Sequence, residues 1–252
     1  MQKYRIYFDT CENIKKNKIK NVKLMITSPP YWDLKNYEAK NQIGFNEDYQ
    51  TYLDRLYQVW KGTYDVLQKN GLAIININTK SFQSSLKLLP YDFIKQMQNI
   101  GFFFKDIHYW HKSSGIPATN NLKDNFEYFL IFSKSKKITY KKDIDYFDYK
   151  LNFKPSKSNI WNINKKFGSV GKKFMIHPAV FPVPYISRML EIFTNEGDLI
   201  MDPFLGSGTT LISCMQNNRK FVGFELNNKE YKKLIKENLK SYKLNYKSIK
   251  IN

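Results

Sequence analysis

The chain has 252 residues, 42% of them hydrophobic, which is enough to bury a sizeable core in one large α/β domain or such a domain with a small insert. Lys+Arg number 41 against 22 Asp+Glu, and a net charge of +19 favours a polyanionic partner, although a general enrichment in lysine would raise the charge equally. Cys11 and Cys214 are far apart and three histidines form no ligand spacing, so neither a disulfide framework nor a metal site is indicated; with no apolar run of 18 residues there is no membrane span, and a soluble, cytoplasmic protein is expected.

Residues 4–8 read as a short strand ending at Asp9, and 12–20 as a weak, basic helix or loop. The apolar run 22–26 reads as a buried strand. It stops at Thr27-Ser28-Pro29-Pro30-Tyr31-Trp32, because neither proline can donate to a ladder and each forces extended geometry on the residue before it. The stiff turn presents the Ser28 hydroxyl, the Pro29 carbonyl and the Tyr31 ring at a sheet edge, where ligands bind in open α/β sheets. That set suits a flat heterocycle bearing an amino group; a plain rigid turn is the alternative.

Residues 33–47 are polar and aromatic with few helix signals and read as a loop. Apolar residues then recur on one helical face over 48–69, with Asn70-Gly71 as C-cap and 72–77 as the next buried strand. A Ser/Lys/Gln-rich loop is expected over 80–88, a proline-opened helix over 90–99, strands over 102–110 and 125–133, and a loop over 112–121. Segment 134–173 differs in kind, with 12 lysines against three acids and interleaved aromatics without a clean period. Such a mixture suits phosphate contacts and base stacking, or else a solvated surface insertion.

A proline-punctuated stretch, 174–184, leads to a helix over 185–193. A strand over 198–201 runs into Asp202-Pro203-Phe204-Leu205-Gly206-Ser207-Gly208-Thr209-Thr210, followed by a helix over 211–216, a strand over 221–224 and a lysine-rich helix over 228–247. The recurring strand–helix–strand order implies a doubly wound parallel sheet. A strand, a Gly-x-Gly turn and a helix start make a cofactor loop, and Glu225, 19 residues beyond Gly206, can accept two hydrogen bonds from a ribose diol. Leu211 stands where a third glycine would complete a dinucleotide fingerprint, and no lysine precedes Thr209 as in a phosphate-binding P-loop. A nucleoside cofactor without phosphates fits better.

TSPPYW and DPFLGSGTT resemble the catalytic and cofactor motifs of the S-adenosylmethionine-dependent amino-group DNA methyltransferases, and their order resembles the β permutation. The resemblance covers about residues 4–35, 48–135 and 174–240. It implies a class I methyltransferase fold: a doubly wound, mostly parallel α/β/α sheet, circularly permuted. Residues 1–133 and 174–252 would form the catalytic domain, and 134–173 a short target-recognition insert.

Carried onto this chain, the resemblance gives Ser28, Pro29, Pro30 and Tyr31 the catalytic turn, with Ser28 and the Pro29 carbonyl gripping the target amino group and Tyr31 stacking on the flipped base. Asp202, Phe204, Gly206, Gly208 and Thr209 would surround the donor end of S-adenosyl-L-methionine, Glu225 its ribose and Asp9 its adenine, while Phe181, in the segment beginning at His177, would back its methionine moiety. A serine before Pro-Pro-Tyr favours N4-cytosine over N6-adenine, and C5-cytosine chemistry is out because no Pro-Cys pair exists. The implied partner is double-stranded DNA; the family also includes enzymes paired with a cognate restriction endonuclease and enzymes that form a homodimer. A basic DNA-binding module without catalysis is the reading from a different class.

Overall fold

The computed structural model describes residues 3–33, 36–37, 39–82, 85–112, 125–138, 159–163 and 182–252. Most of the basic segment 134–173, the loop beyond Lys112, and the stretch that includes His177 and Phe181 lie outside them.

Among the described residues the strands are, in chain order, β1 (Tyr4–Tyr7), β2 (Val22–Thr27), β3 (Leu67–Ile77), β4 (Lys80–Phe82), β5 (Ser85–Lys87), β6 (Phe103–His111), β7 (Phe126–Ser133), β8 (Ile160–Asn162), β9 (Leu199–Asp202), β10 (Lys220–Phe224) and β11 (Ile249–Ile251). β4 and β5 form a separate hairpin. The others join one sheet in the order β11-β1-β10-β9-β2-β3-β7-β6-β8. All pairings in this sheet are parallel except those of β7, which runs antiparallel to both β3 and β6. The fold is therefore the mostly parallel, doubly wound α/β sheet expected from the sequence.

Two apolar layers cover the sheet. On one face α3 (Val183–Phe193), α4 (Thr209–Gln216) and α5 (Asn228–Ser241) cover Leu24, Ile26, Ile74 and Ile200. On the other, α1 (Tyr49–Val66) and α2 (Leu89–Ile100) cover Met25, Ala73, Ile75 and Met201. The alternation along β2 and β3 is the period of a strand buried on both faces. β2 connects forward to α1 and β9 to α4, on opposite faces, although the two strands are neighbours. Their carboxyl ends thus open at a topological switch point, the crevice where ligands bind in such sheets.

Several local expectations are corrected. Asn70-Gly71 does not cap α1, which ends at Val66 with Leu67 as its C-cap; both residues lie within β3. Pairing passes from Val22↔Leu67 to Leu24↔Leu72, so the intervening residues bulge out of the ladder. The expected loop over 80–88 contains the β4–β5 hairpin. α3 begins at Val183, with Pro184 in its first turn where a missing N–H costs nothing. The last helix ends at Ser241 rather than 247, and the chain returns as the parallel edge strand β11. In the basic segment, Ile160–Asn162 pairs parallel with β6.

A Cβ at Gly71 would lie 2.9 Å from the Gln68 carbonyl oxygen and 3.0 Å from the Leu67 Cβ, and the backbone atom cannot yield. Gly71→Ala is therefore expected to cost about 1–3 kcal/mol, read as a lower denaturation midpoint at unchanged slope. An unchanged midpoint would mean that the bulge can relax.

Candidate active site

β2 and β9 are adjacent and parallel, so Thr27 and Asp202 emerge side by side although 175 residues separate them. The Thr27 hydroxyl donates to Asp202 Oδ1 at 2.6 Å, the Thr210 hydroxyl donates to Oδ2 at 2.7 Å, and the Phe204 amide donates to Oδ1 at 3.0 Å. Burial pushes the Asp202 carboxyl up to about 6, and these three donors hold it lower than burial alone would. One carboxylate thus ties the end of the first strand to the loop beginning the second motif.

After Thr27 the double proline prevents further pairing. The Tyr52 hydroxyl, from α1, donates to the Pro30 carbonyl at 2.9 Å, and the Trp32 indole donates to the Glu47 carbonyl at 2.8 Å. The turn is therefore anchored on both sides of Tyr31. The Tyr31 hydroxyl donates to Glu127 Oε2 at 3.3 Å, and burial, then the Glu127 carboxylate, hold the phenol well above its ordinary pKa.

On the other side Gly206 takes φ +51°, a left-handed conformation that glycine adopts without strain, and its amide donates to Glu225 Oε2 at 2.8 Å. The Asn227 amide donates to Glu225 Oε1 at 2.9 Å. Burial raises the Glu225 carboxyl to about 7 in spite of both donors. Asn227 also donates from Nδ2 to the Tyr37 carbonyl at 3.0 Å, fixing the segment after the proline turn beside the carboxylate.

The proline turn and the glycine loop line one cavity of about 260 Å³. It brings together Ser28, Pro29, Pro30, Tyr31, Asp9, Asp202, Phe204, Gly206, Thr209 and Glu225. Gly208 is not among the lining residues: it takes φ +87° at the N-cap of α4, and a Cβ there would lie 3.4 Å from Ile235 of α5. Phe181 lies outside the described residues. Sequence reasoning missed Trp110, Glu127 and Tyr231, which also line the cavity, as does Tyr37 of the segment 33–47. For Glu127 a signal was present, a single acid inside the apolar strand Phe126–Ser133.

The donor set fits a nucleoside-bearing sulfonium: an acceptor carboxylate for a diol, a glycine loop that lets a ligand approach the backbone, and the aromatic Phe204. Beside it, the Ser28–Tyr31 turn offers a hydroxyl, a carbonyl and a ring to a second, planar ligand.

The sequence matches the DNA methylase family over residues 22–237. It is 29% identical over 250 residues to the orphan methyltransferase M.BamHII of Bacillus amyloliquefaciens, covering 88% of this chain and 89% of the relative. Among solved structures it is similar to TTHA0409 of Thermus thermophilus, with a TM-score of 0.73 and 25% identity over 98% of this chain and 99% of that one. It is also similar to M1.HpyAVI, solved as a complex with SAM, with a TM-score of 0.66 and 25% identity over 94% and 98% of the two chains. The family match spans both the turn at Ser28 and the loop at Gly206 that meet in the cavity, and the chain belongs to the DNA methylase family.

Proposed function

We propose that this DNA methyltransferase transfers the methyl group of S-adenosyl-L-methionine to the exocyclic N4 of cytosine in double-stranded DNA. The observation that carries the reading is the shared cavity: Ser28, Pro29 and Tyr31 face the same space as Phe204, Gly206 and Glu225. The bound cofactor supplies an electrophilic sulfonium methyl. Glu225 would hold the ribose diol, and Phe204 and Gly206 the donor end.

An exocyclic amino nitrogen is a poor nucleophile, because its lone pair is delocalised into the ring. Hydrogen bonds from its two protons to the Ser28 hydroxyl oxygen and the Pro29 carbonyl would pyramidalise the nitrogen and localise that pair for in-line attack. In that step the N–CH3 bond would form as the S–CH3 bond breaks, the sulfur leaving as a neutral thioether and the surplus amino proton passing to solvent. The rate gain comes from positioning and from dipoles aimed at the charge developing on nitrogen. A paired cytosine cannot reach Ser28, so the base is flipped out, at a cost of a few kcal/mol that stacking on Tyr31 offsets in part. On the hairpin beside the turn, the Lys80 ammonium donates to the Trp32 carbonyl, while Lys87, 6.0 Å from the Trp32 ring centre, can meet a phosphate flanking an extruded base.

Nucleoside mass analysis of duplex DNA treated with the protein and cofactor is expected to give N4-methylcytosine. N6-methyladenine alone would overturn the choice of base, and no methylated nucleoside would overturn the activity.

Glu225 makes cofactor binding pH-dependent. With its pKa raised to about 7, the carboxyl is largely protonated at pH 6 and ionised at pH 8, and only the ionised form accepts from both ribose hydroxyls. Cofactor affinity is therefore expected to rise by up to about tenfold between pH 6 and pH 8 by calorimetric titration. Glu225→Gln should bind more weakly and lose this rise; a variant with the wild-type profile would remove Glu225 from cofactor binding.

A further inference from the structure

We propose that Glu127 is a positioning residue for methyl transfer: it holds the Tyr31 phenol in place across the target-base side of the cavity, and Lys112 holds Glu127. The proposal rests on the reading above that Tyr31 faces the extruded base.

The antiparallel β6–β7 pair sets Glu127 directly opposite Trp110, and both line the cavity. Lys112 lies two residues beyond Trp110, so it shares a face with it and is the diagonal neighbour of Glu127. Its ammonium donates to Glu127 Oε1 at 3.0 Å, and the two side chains are only 12% and 16% exposed. The other oxygen, Oε2, accepts from the Tyr31 hydroxyl. The nearby Ser28 side chain pulls the phenol's pKa down, against burial and the Glu127 carboxylate. A line of polar contacts thus runs from Tyr31 through Glu127 to Lys112.

A carboxylate placed in an apolar strand costs solvation and needs partners for both oxygens. A Lys–Glu pair that merely stapled β6 to β7 would not require a partner on a turn 96 residues upstream. The two-sided arrangement instead makes the ion pair a mount for the phenol. Pinned at its hydroxyl, the ring is held in one χ1 orientation, and the place where a base stacks is set before the base arrives. The Tyr31–Glu127 separation of 3.3 Å exceeds the roughly 2.8 Å of an ordinary O–H···O bond. Contacts of this kind tighten when substrate is in place.

The test is a double-mutant cycle on methyl transfer from tritiated cofactor to duplex DNA, with wild type, Glu127→Ala, Tyr31→Phe and the double variant. Glu127→Ala and Tyr31→Phe are each expected to lower kcat about tenfold, with cofactor KM changed by less than about twofold, and the double variant to fall no further. Glu127→Gln, whose amide oxygen can accept from Lys112 while its NH2 donates to the Tyr31 phenol oxygen, should recover most of the rate. Tyr31→Phe and Glu127→Gln keep the result readable if Glu127→Ala does not fold. Losses that multiply to about a hundredfold in the double variant, or full turnover by Tyr31→Phe, overturn the proposal. Wild type that labels adenine corrects the base assigned above while the cycle is still read on the labelled base; wild type that labels no DNA removes the methyltransferase reading and this proposal with it.

Discussion

The buried carboxylate of Asp202 joins the two halves of the site. Without it, two parallel strands would merely end next to each other, each followed by a turn free to settle independently. Thr27 and Thr210 each donate a hydroxyl proton to it and Phe204 an amide, so one side chain ties the proline turn, the glycine loop and the first residues of α4 together. Such a group is costly to bury, which is why its carboxyl is raised to about 6 even with three donors. That cost falls at the point where the fold changes direction and where two ligands have to meet.

From that junction the division of labour follows. The β9–β10 side carries the proposed nucleoside-donor site, with a left-handed glycine at 206 and a carboxylate at 225 oriented by the amides of Gly206 and Asn227. The β2–β3–β7 side carries the proposed acceptor site, with a hydroxyl, a carbonyl and a ring anchored through Tyr52 and Glu127. Asn227 connects the segment after the turn to Glu225, since its side chain reaches the Tyr37 carbonyl while its amide reaches the carboxylate. The two proposed ligand sites therefore share walls.

Much of this was legible in the residues because it is local. Two prolines end a strand wherever they occur, Gly-Ser-Gly before a helix start makes a ligand turn, and an apolar run such as 72–77 is buried on both faces. Features that depend on distant partners were not legible. Asn70-Gly71 looks like a helix C-cap by composition, yet β2 pairs with Leu67 already and turns the same residues into a bulge. The reversed direction of β7 is set by its neighbours, not by its own pattern. Ile249–Ile251 is too short to announce itself and becomes a strand only beside β1. Gly208 shares the motif's spacing with Gly206 but takes φ +87° at the start of α4 and is not among the residues lining the cavity, and Glu127 owes its place there to a strand pairing with Trp110.

If the Thr27–Asp202 contact keeps the base-binding turn in register with the donor loop, its loss must be felt in the chemical step. The most direct measurement is the single-turnover rate of methyl transfer by Thr27→Val, an isosteric change that removes only the hydroxyl, at saturating cofactor and DNA. The predicted result is a rate at least about tenfold lower in a protein that still melts cooperatively and binds cofactor. A variant that transfers methyl groups as fast as wild type would contradict it.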